Sequence, residues 1–265
     1  MSAPISYAIQ DSATMLRRNL RHAQRYPTIL AFTIAIPLVL LLLFVYVFGA
    51  TLGAGLPGVS GGRSEYLNYV TPGILLITVA GVPQGAAISV AMDMTEGIIN
   101  RFRTMAIARV SVLTGHVLGN FIQTMIALAV VTAVALALGF RPTASPLDWV
   151  AAIALLGLVS FALIWLGVAM GLFAKGVETA SNLPLPLIML PFLGSGFVPT
   201  DTMPGGLRWF ADNQPFTPIM DTLRGLLTGT PTDDSAIILA IAWSIAIALA
   251  GYLWATRLFN RDPTP

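Results

Sequence analysis

Few side chains in this 265-residue chain are equipped for bond-making chemistry. Cysteine is absent, the only histidines are His22 and His116, and the only lysine, Lys175, follows Ala174. Disulfides, thiolate metal sites and cysteine nucleophiles are therefore excluded, and a histidine-based metal centre is not expected. A phosphate-cradling loop needs Gly-Lys-Ser or Gly-Lys-Thr, so the chain does not hydrolyse ATP by that route. No Gly-x-Ser-x-Gly elbow, aspartate dyad or His/Asp/Glu cluster falls in any apolar run. The expectation is a chain with no catalytic, cofactor-binding or metal-binding residues, whose polar side chains serve recognition.

Two stretches concentrate such side chains. In the first, Glu96 is followed by Ile99, Phe102 and Met105 at three-residue intervals, with Gly97 and Ile98 beside them and Arg101 and Arg103 at the edges. A short helix over 96–107 with an apolar stripe and charged rims is shaped to dock into a groove on another protein. The competing reading is an ordinary amphipathic interfacial loop. The second stretch runs from Pro191 through Gly194-Ser195-Gly196 and Pro199 to Met203-Pro204, Asn213-Gln214-Pro215 and Arg224-Gly225-Leu226-Leu227-Thr228-Gly229. Its charges, Asp201, Arg208, Asp212, Asp221 and Arg224, are too many for a crossing, yet Leu207, Trp209, Phe210, Ile219 and Leu223 are too apolar for free solution. Short helices over 199–229 that dip into the bilayer and return satisfy both facts. Arg224 either pairs with Asp221 or a neighbour to hold that region, or is a solvated loop charge.

The elements that must position these stretches are membrane helices. Hydrophobic residues make up 56% of the chain, charged residues 10%, and mean hydropathy is +0.80. A soluble domain carries about 25% charged residues, so most of this surface faces something other than water. A span takes roughly 20 apolar residues. Runs of suitable character cover 28–52, 67–92, 110–140, 149–174 and 236–256, with a shorter one at 183–198. Pro184, Pro186 and Pro191 lie in or near that short run, where each removes a backbone hydrogen bond. The reading is all-α, polytopic, about six spans. Cytoplasmic placement of both termini puts ten basic residues inside and four outside, which fixes the orientation. Residues 1–26 end in an amphipathic helix from Ile9 to Tyr26, with Arg17, Arg18, Arg21 and Arg25 on a basic face. Such a helix lies in the headgroup layer; the alternative is a simple positive-inside stop. The Gly-rich segment between Leu52 and Glu65 is an outer loop.

Polar groups within the spans are sparse. Gln84, Asn120 and Gln123 are candidates to line a pathway, although helix-to-helix hydrogen bonding is the commoner use of such residues. None of the mid-span side chains is ionisable, which argues against a proton- or sodium-coupled carrier. Gly81/Gly85, Gly115/Gly119 and Gly167/Gly171 have the spacing that lets helices approach closely. A net charge of +2 gives no reason to expect a nucleic-acid partner.

The order Gly194-Ser195-Gly196-Phe197-Val198-Pro199, Met203-Pro204, Asn213-Gln214-Pro215 and Arg224-Gly225-Leu226-Leu227-x-Gly229, together with Glu96-Gly97 and Arg101-Phe102-Arg103, resembles the ABC-2 type permeases, closest to the daunorubicin/doxorubicin resistance branch. The resemblance covers nearly the whole chain as one transmembrane domain. It implies a permease subunit of an ATP-driven exporter in the cell membrane, moving an amphipathic drug-, polyketide- or lipid-like cargo. The alternatives are a polysaccharide or glycolipid exporter permease and, more distantly, a lipid-modifying membrane enzyme. It implies that 96–107 is the coupling helix (Glu96, Gly97, Ile99, Arg101, Phe102, Arg103), and that Pro191, Pro199, Met203, Pro204, Pro215 and Arg224 shape re-entrant helices capping the exit. The implied partners are a separately encoded ABC ATPase, which brings ATP and Mg, a second permease copy, and membrane lipid.

Overall fold

The computed structural model describes residues 14–19, 21, 27–49, 51, 62–97, 109–197, 200 and 203–260, with backbone alone at 27–29 and 109–112. The regular secondary structure of the described residues is all helix, without a strand. Helix α1 (Pro27–Leu42) continues into a π-helical segment, Leu43–Phe48. Helices α2 (Arg63–Ala80) and α3 (Val82–Thr95) together form the second long apolar element, and α4 (Arg109–Ala137) and α5 (Pro146–Phe173) follow as an antiparallel pair. Short helices α6 (Val177–Asn182) and α7 (Leu185–Met189) lead into a 3₁₀ turn, Leu190–Leu193. The amphipathic α8 (Gly205–Asn213), α9 (Phe216–Thr228) and the long α10 (Asp234–Asn260) complete the chain.

Among the described residues, five elements are long and apolar enough to cross a bilayer: Leu30–Phe48, Arg63–Thr95, Leu113–Ala137, Pro146–Phe173 and Asp234–Asn260. The expected run at 183–198 is not one continuous helix. Apolar helix begins earlier, at Val177, and ends at Leu193 after breaks around Pro184 and Pro191. The physical reason is the missing amide hydrogens and the ring clash of Pro184, Pro186 and Pro191. The expected 67–92 span is longer and bent: Gly81 separates α2 from α3, and Pro83 sits in the first turn of α3. Proline is tolerated there because first-turn amides have no intrahelical acceptor.

Local signals explain the other boundaries. Ser145 caps α5 by accepting from the Asp148 amide, and the Asp148 carboxylate accepts from the Ser145 amide at 2.9 Å, with Pro146 as the first helical residue. Gly97 (φ 70°) and Gly229 (φ 68°) take left-handed conformations just beyond α3 and α9, where a side chain would be strained.

Helix α5 is the pillar of the bundle, packed on both α3 and α10. A Cβ at Gly167 would lie 2.5 Å from the Pro83 carbonyl oxygen, and one at Gly171 2.6 Å from that of Ala87. Gly251 of α10 meets the α5 backbone at Leu166 equally closely, 2.6 Å. The Gly167/Gly171 pair is thus a helix contact, whereas Gly81 forms the turn between α2 and α3. The main apolar core gathers α2, α5 and α9 around Tyr66, Ile74, Leu163 and Ile219. In contrast, α1 and α10 present rows of exposed apolar residues, including Phe32, Ile36, Val39, Ile238, Ile245 and Leu249. Large apolar side chains on an outer surface belong against lipid or another membrane helix.

Candidate functional site

The described structure brings the polar residues together at the two ends of the α2–α3 element. At the end where α2 begins, Arg224 of α9 reaches across to the turn at 194–197. Its Nη2 donates to the Ser195 carbonyl at 2.7 Å and to that of Gly196 at 3.4 Å. Its guanidinium carbon stands 4.3 Å from the centre of the Tyr69 ring, and its Nη1 is 3.6 Å from the Asp221 carboxylate. The Tyr69 hydroxyl donates to the same Ser195 carbonyl at 3.3 Å, and Ser195 Oγ donates to Asp221 Oδ1 at 2.6 Å. Arg224 is therefore paired and not a solvated charge; only 13% of its side chain is exposed.

The turn can approach α2 because residue 73 is glycine. A Cβ there would lie 2.9 Å from the Gly196 carbonyl oxygen and 3.3 Å from the Phe197 ring. Phe197 stacks on Phe44 at 4.8 Å and on Phe192 at 5.0 Å, joining the π-helical segment to the same assembly. Gln214, buried between α8 and α9, donates to the Leu190 carbonyl at 3.0 Å. Burial holds the Asp221 carboxyl above its usual range, against the hydrogen bond from Ser195 and the attraction of Arg224, with Asp212 adding to the rise. Gln214 Oε1 and Arg224 Nε are buried without a hydrogen-bond partner among the described residues.

The prolines expected to shape this end fall at element boundaries. Pro191 is buried in the 3₁₀ turn, Met203 and Pro204 precede α8, with Pro204 as its cap residue, and Pro215 precedes α9. Pro199 lies outside the described residues. The segment forms two short helices: α8 exposes Leu207, Trp209 and Phe210, while α9 buries Phe216, Ile219, Met220 and Leu223.

At the opposite end, Glu96 and Gly97 do not open a helix at 96. They close α3: Glu96 is its C-cap and Gly97 the left-handed residue after it. This corrects the expected 96–107 boundary, and the reason is local, since glycine at φ 70° stops a helix. Ile99, Arg101, Phe102 and Arg103 lie outside the described residues. Asp93, one residue beyond the expected 67–92 run, belongs to the last turn of α3 and is buried. It accepts two hydrogen bonds from Arg18 Nη2, at 2.7 and 2.9 Å, and faces His116 Nε2 at 3.1 Å. Sequence reasoning missed this cluster because its members lie far apart in the chain. The usable signal was an acidic residue inside the helical period of an apolar run.

Of the residues expected to line a pathway, Gln84 borders an open apolar groove, of 260 Å³, that α1, the α2–α3 break and α7 enclose. Its amide nitrogen donates to the Ser181 carbonyl at 2.8 Å. Asn120 and Gln123 donate to their own helix, at the His116 and Gly119 carbonyls. A larger apolar cavity of 440 Å³ lies between α4 and α5 under Trp149, with Leu75 and Leu227 at its back. Thr132 is among the few polar side chains on its wall.

Long apolar helices packed through small residues, with polar networks confined to the ends and apolar hollows between, define a multi-pass membrane protein of transporter type. The profile of the ABC-2 type transporter family matches residues 11–228, and the chain belongs to that family. It is 27% identical, over 92% of its own length and 84% of the relative's, to the daunorubicin resistance ABC transporter permease protein DrrB1 of Streptomyces coeruleorubidus. It is also 25% identical to the probable doxorubicin resistance ABC transporter permease protein DrrC of Mycobacterium tuberculosis H37Rv, over 62% of this chain and 59% of that protein. The chain is thus homologous to drug-resistance ABC transporter permeases.

Proposed function

We propose that this chain is the membrane subunit of an ATP-driven exporter for amphipathic drug-, polyketide- or lipid-like cargo. The family match over residues 11–228 carries the reading, and the drug-resistance permeases that the chain resembles supply the cargo class. Two copies of the chain and two copies of a separately encoded ABC ATPase form the working unit, with ATP and Mg bound by the ATPase. Both termini lie in the cytoplasm, consistent with ten of fourteen basic residues falling in segments on that side. The loop after Gly97, bearing Ile99, Arg101, Phe102 and Arg103, docks on the ATPase. The Arg224 assembly then lies at the outer mouth, where α8 and α9 cap the exit.

In this arrangement the α2–α3 element links the docking loop to the exit cap. The groove beside Gly81, Gln84 and Ile88 lies at its break, so a change in the angle there reshapes an apolar surface on the path between the ends. Its apolar walls suit a cargo that partitions into membranes.

The test is reconstitution of the permease with its ATPase in vesicles. Cargo transport should require both subunits and ATP. Phe102→Ala should remove cargo-stimulated hydrolysis while insertion persists, because truncating an aromatic anchor commonly costs over ~2 kcal/mol at an interface. Full stimulation in Phe102→Ala would overturn the docking assignment. A reporter fused after Pro265 should read cytoplasmic, and an external reading would overturn the orientation.

A further inference from the structure

Arg18, Asp93 and His116 come from three segments, 75 and 23 positions apart in sequence, yet form one contiguous cluster. Asp93 is its centre. Both carboxylate oxygens accept from Arg18, and His116 Nε2 is the donor toward Oδ2, since a carboxylate can only accept. His116 is 3% exposed, and its other ring nitrogen faces Ser89 Oγ at 3.4 Å. A second feature fastens the same segment independently. Cβ atoms at Gly115 and Gly119 would lie 2.5 Å from Met15 Cβ and 3.0 Å from Asn19 Cβ, so the 14–19 helical turn rests directly on the backbone of α4. Arg18 accordingly faces protein, in contrast to a basic face given wholly to lipid headgroups.

Stability alone does not require such a cluster, because well-packed apolar groups commonly do as well in place of a buried ion pair. What the charges add is a fixed geometry among three segments. Two of these, the end of α3 and the start of α4, flank the 98–108 segment to which the docking role is assigned. α3 in turn lies directly against α5 at Gly167, on the Pro83 backbone, and at Gly171, on the Ala87 backbone and Val90 Cβ. A displacement at that loop would dissipate in local bending if its two roots could move separately.

We propose that Asp93 is a positioning residue for energy coupling: the Arg18–Asp93–His116 cluster locks the N-terminal helix and both roots of the docking loop into one body. Force applied to the loop by the ATPase is then delivered to α3 and α5. The inference rests on the docking role proposed above for the loop, and the experiment separates the two. Co-purification of permease and ATPase is measured first; failure of the native pair to associate refutes the docking role itself.

With assembly established, Asp93→Asn and Arg18→Gln are compared with Arg18→Lys in reconstituted vesicles. The expected result is a fall of about two- to thirtyfold in cargo moved per ATP hydrolysed, the span typical of altered coupling. Basal hydrolysis, insertion and ATPase association should stay at native levels, and Arg18→Lys should recover most of the ratio. A cross-link supplies the second arm, since the chain has no other cysteine. Asn19→Cys with Gly119→Cys places two Cβ atoms within a small shift of the roughly 3.5–4.5 Å that a disulfide spans. This pair should cross-link and remain transport-competent. An unchanged transport ratio in Asp93→Asn overturns the inference, as does a parallel loss of insertion and all activities, which marks a merely structural bridge. Transport abolished by the cross-link also overturns it, because the segment would then have to leave α4.

Discussion

Arg224 and Arg18 stand at opposite ends of the bundle, and each ties a peripheral segment to the α2–α3 element, but through different acceptors. Arg224 spends its best hydrogen bond on a backbone carbonyl, that of Ser195, and meets Asp221 only at 3.6 Å. Arg18 is bound to a buried carboxylate through both oxygens. A guanidinium on carbonyls fixes the path of a turn whatever side chains the turn carries. A guanidinium on a carboxylate fixes two elements to each other and depends on charge at both. The first arrangement suits a cap of constant shape, and the second suits a joint that must transmit displacement.

The largest expected effect comes from removing the Arg224 cation. Arg224→Ala abolishes the carbonyl hydrogen bonds, the Tyr69 contact and the Asp221 pairing together. Hydrogen bonds from a charged donor contribute about 1.5–3 kcal/mol and a partly desolvated cation–π contact about 0.5–2 kcal/mol. Thermal unfolding in detergent should therefore show destabilisation of about 2–4 kcal/mol, with transport falling at least as far. Arg224→Lys should recover less than half, since one ammonium cannot both lie flat on Tyr69 and span two carbonyls. If Lys restores full stability, the cap depends on charge alone and the contrast between the ends disappears.

Gly73→Val is the next test. Its Cβ would fall 2.9 Å from the Gly196 carbonyl oxygen, a backbone atom that cannot swing aside. Overpacking of this kind costs about 1–3 kcal/mol. The same change at Gly62, where a Cβ would meet nothing within 4 Å, should be nearly silent. Equal melting temperatures for the two variants would show that the 194–197 turn yields and is not held against α2.

Cysteine labelling sharpens the picture of the cap without perturbing it much. Leu223 is fully buried, Leu207 is 40% exposed, and Asp233 lies beyond α9 in an exposed segment. With a membrane-impermeant thiol reagent, Leu223→Cys should be the slowest and Asp233→Cys the fastest. Leu207→Cys measures where α8 lies: slow reaction places its apolar face in lipid, and reaction as fast as at Asp233 places it in water, which would remove the re-entrant reading of α8.

Much of this organisation was legible in the sequence because bilayer physics leaves few choices. Long apolar runs must be helices, and Pro184, Pro186 and Pro191 announced the broken run between Val177 and Leu193. The Gly167/Gly171 spacing likewise marked a close helix contact. The Arg224 contacts were legible only as a possibility, since whether a charge pairs depends on which backbone the fold delivers to it. The role of Gly97 was misread because a Glu-Gly pair can end one helix as easily as it can precede another; φ decides, and sequence does not report φ. Asp93 was missed for a related reason. Beside Met92 and Met94 it reads as the start of a loop, and its partners Arg18 and His116 become visible only when three segments meet.

The smallest expected effect concerns pH. Burial raises the Asp221 carboxyl above its ordinary 3.8, so the folded chain binds this proton more tightly than the unfolded chain does. The stability contributed by that proton is fully present below the ordinary value and is lost as pH rises through the raised one. Asp233 differs in sign: hydrogen bonds from Ser235 lower its carboxyl, so its contribution is present above the ordinary value and is lost as pH falls through the lowered one. Asp233 is fully exposed, so its part of the slope is expected to be slight. Asp221→Asn keeps an oxygen to accept from Ser195 while removing the titration. Melting temperatures of native and Asp221→Asn permease, followed from pH 4 upward in steps, should diverge, with the native protein losing stability relative to the variant as the carboxyl ionises. Parallel curves would mean that Arg224 and Ser195 fully compensate the partly buried charge. The cap would then depend on an ion pair after all, and the two ends of the molecule would be held alike.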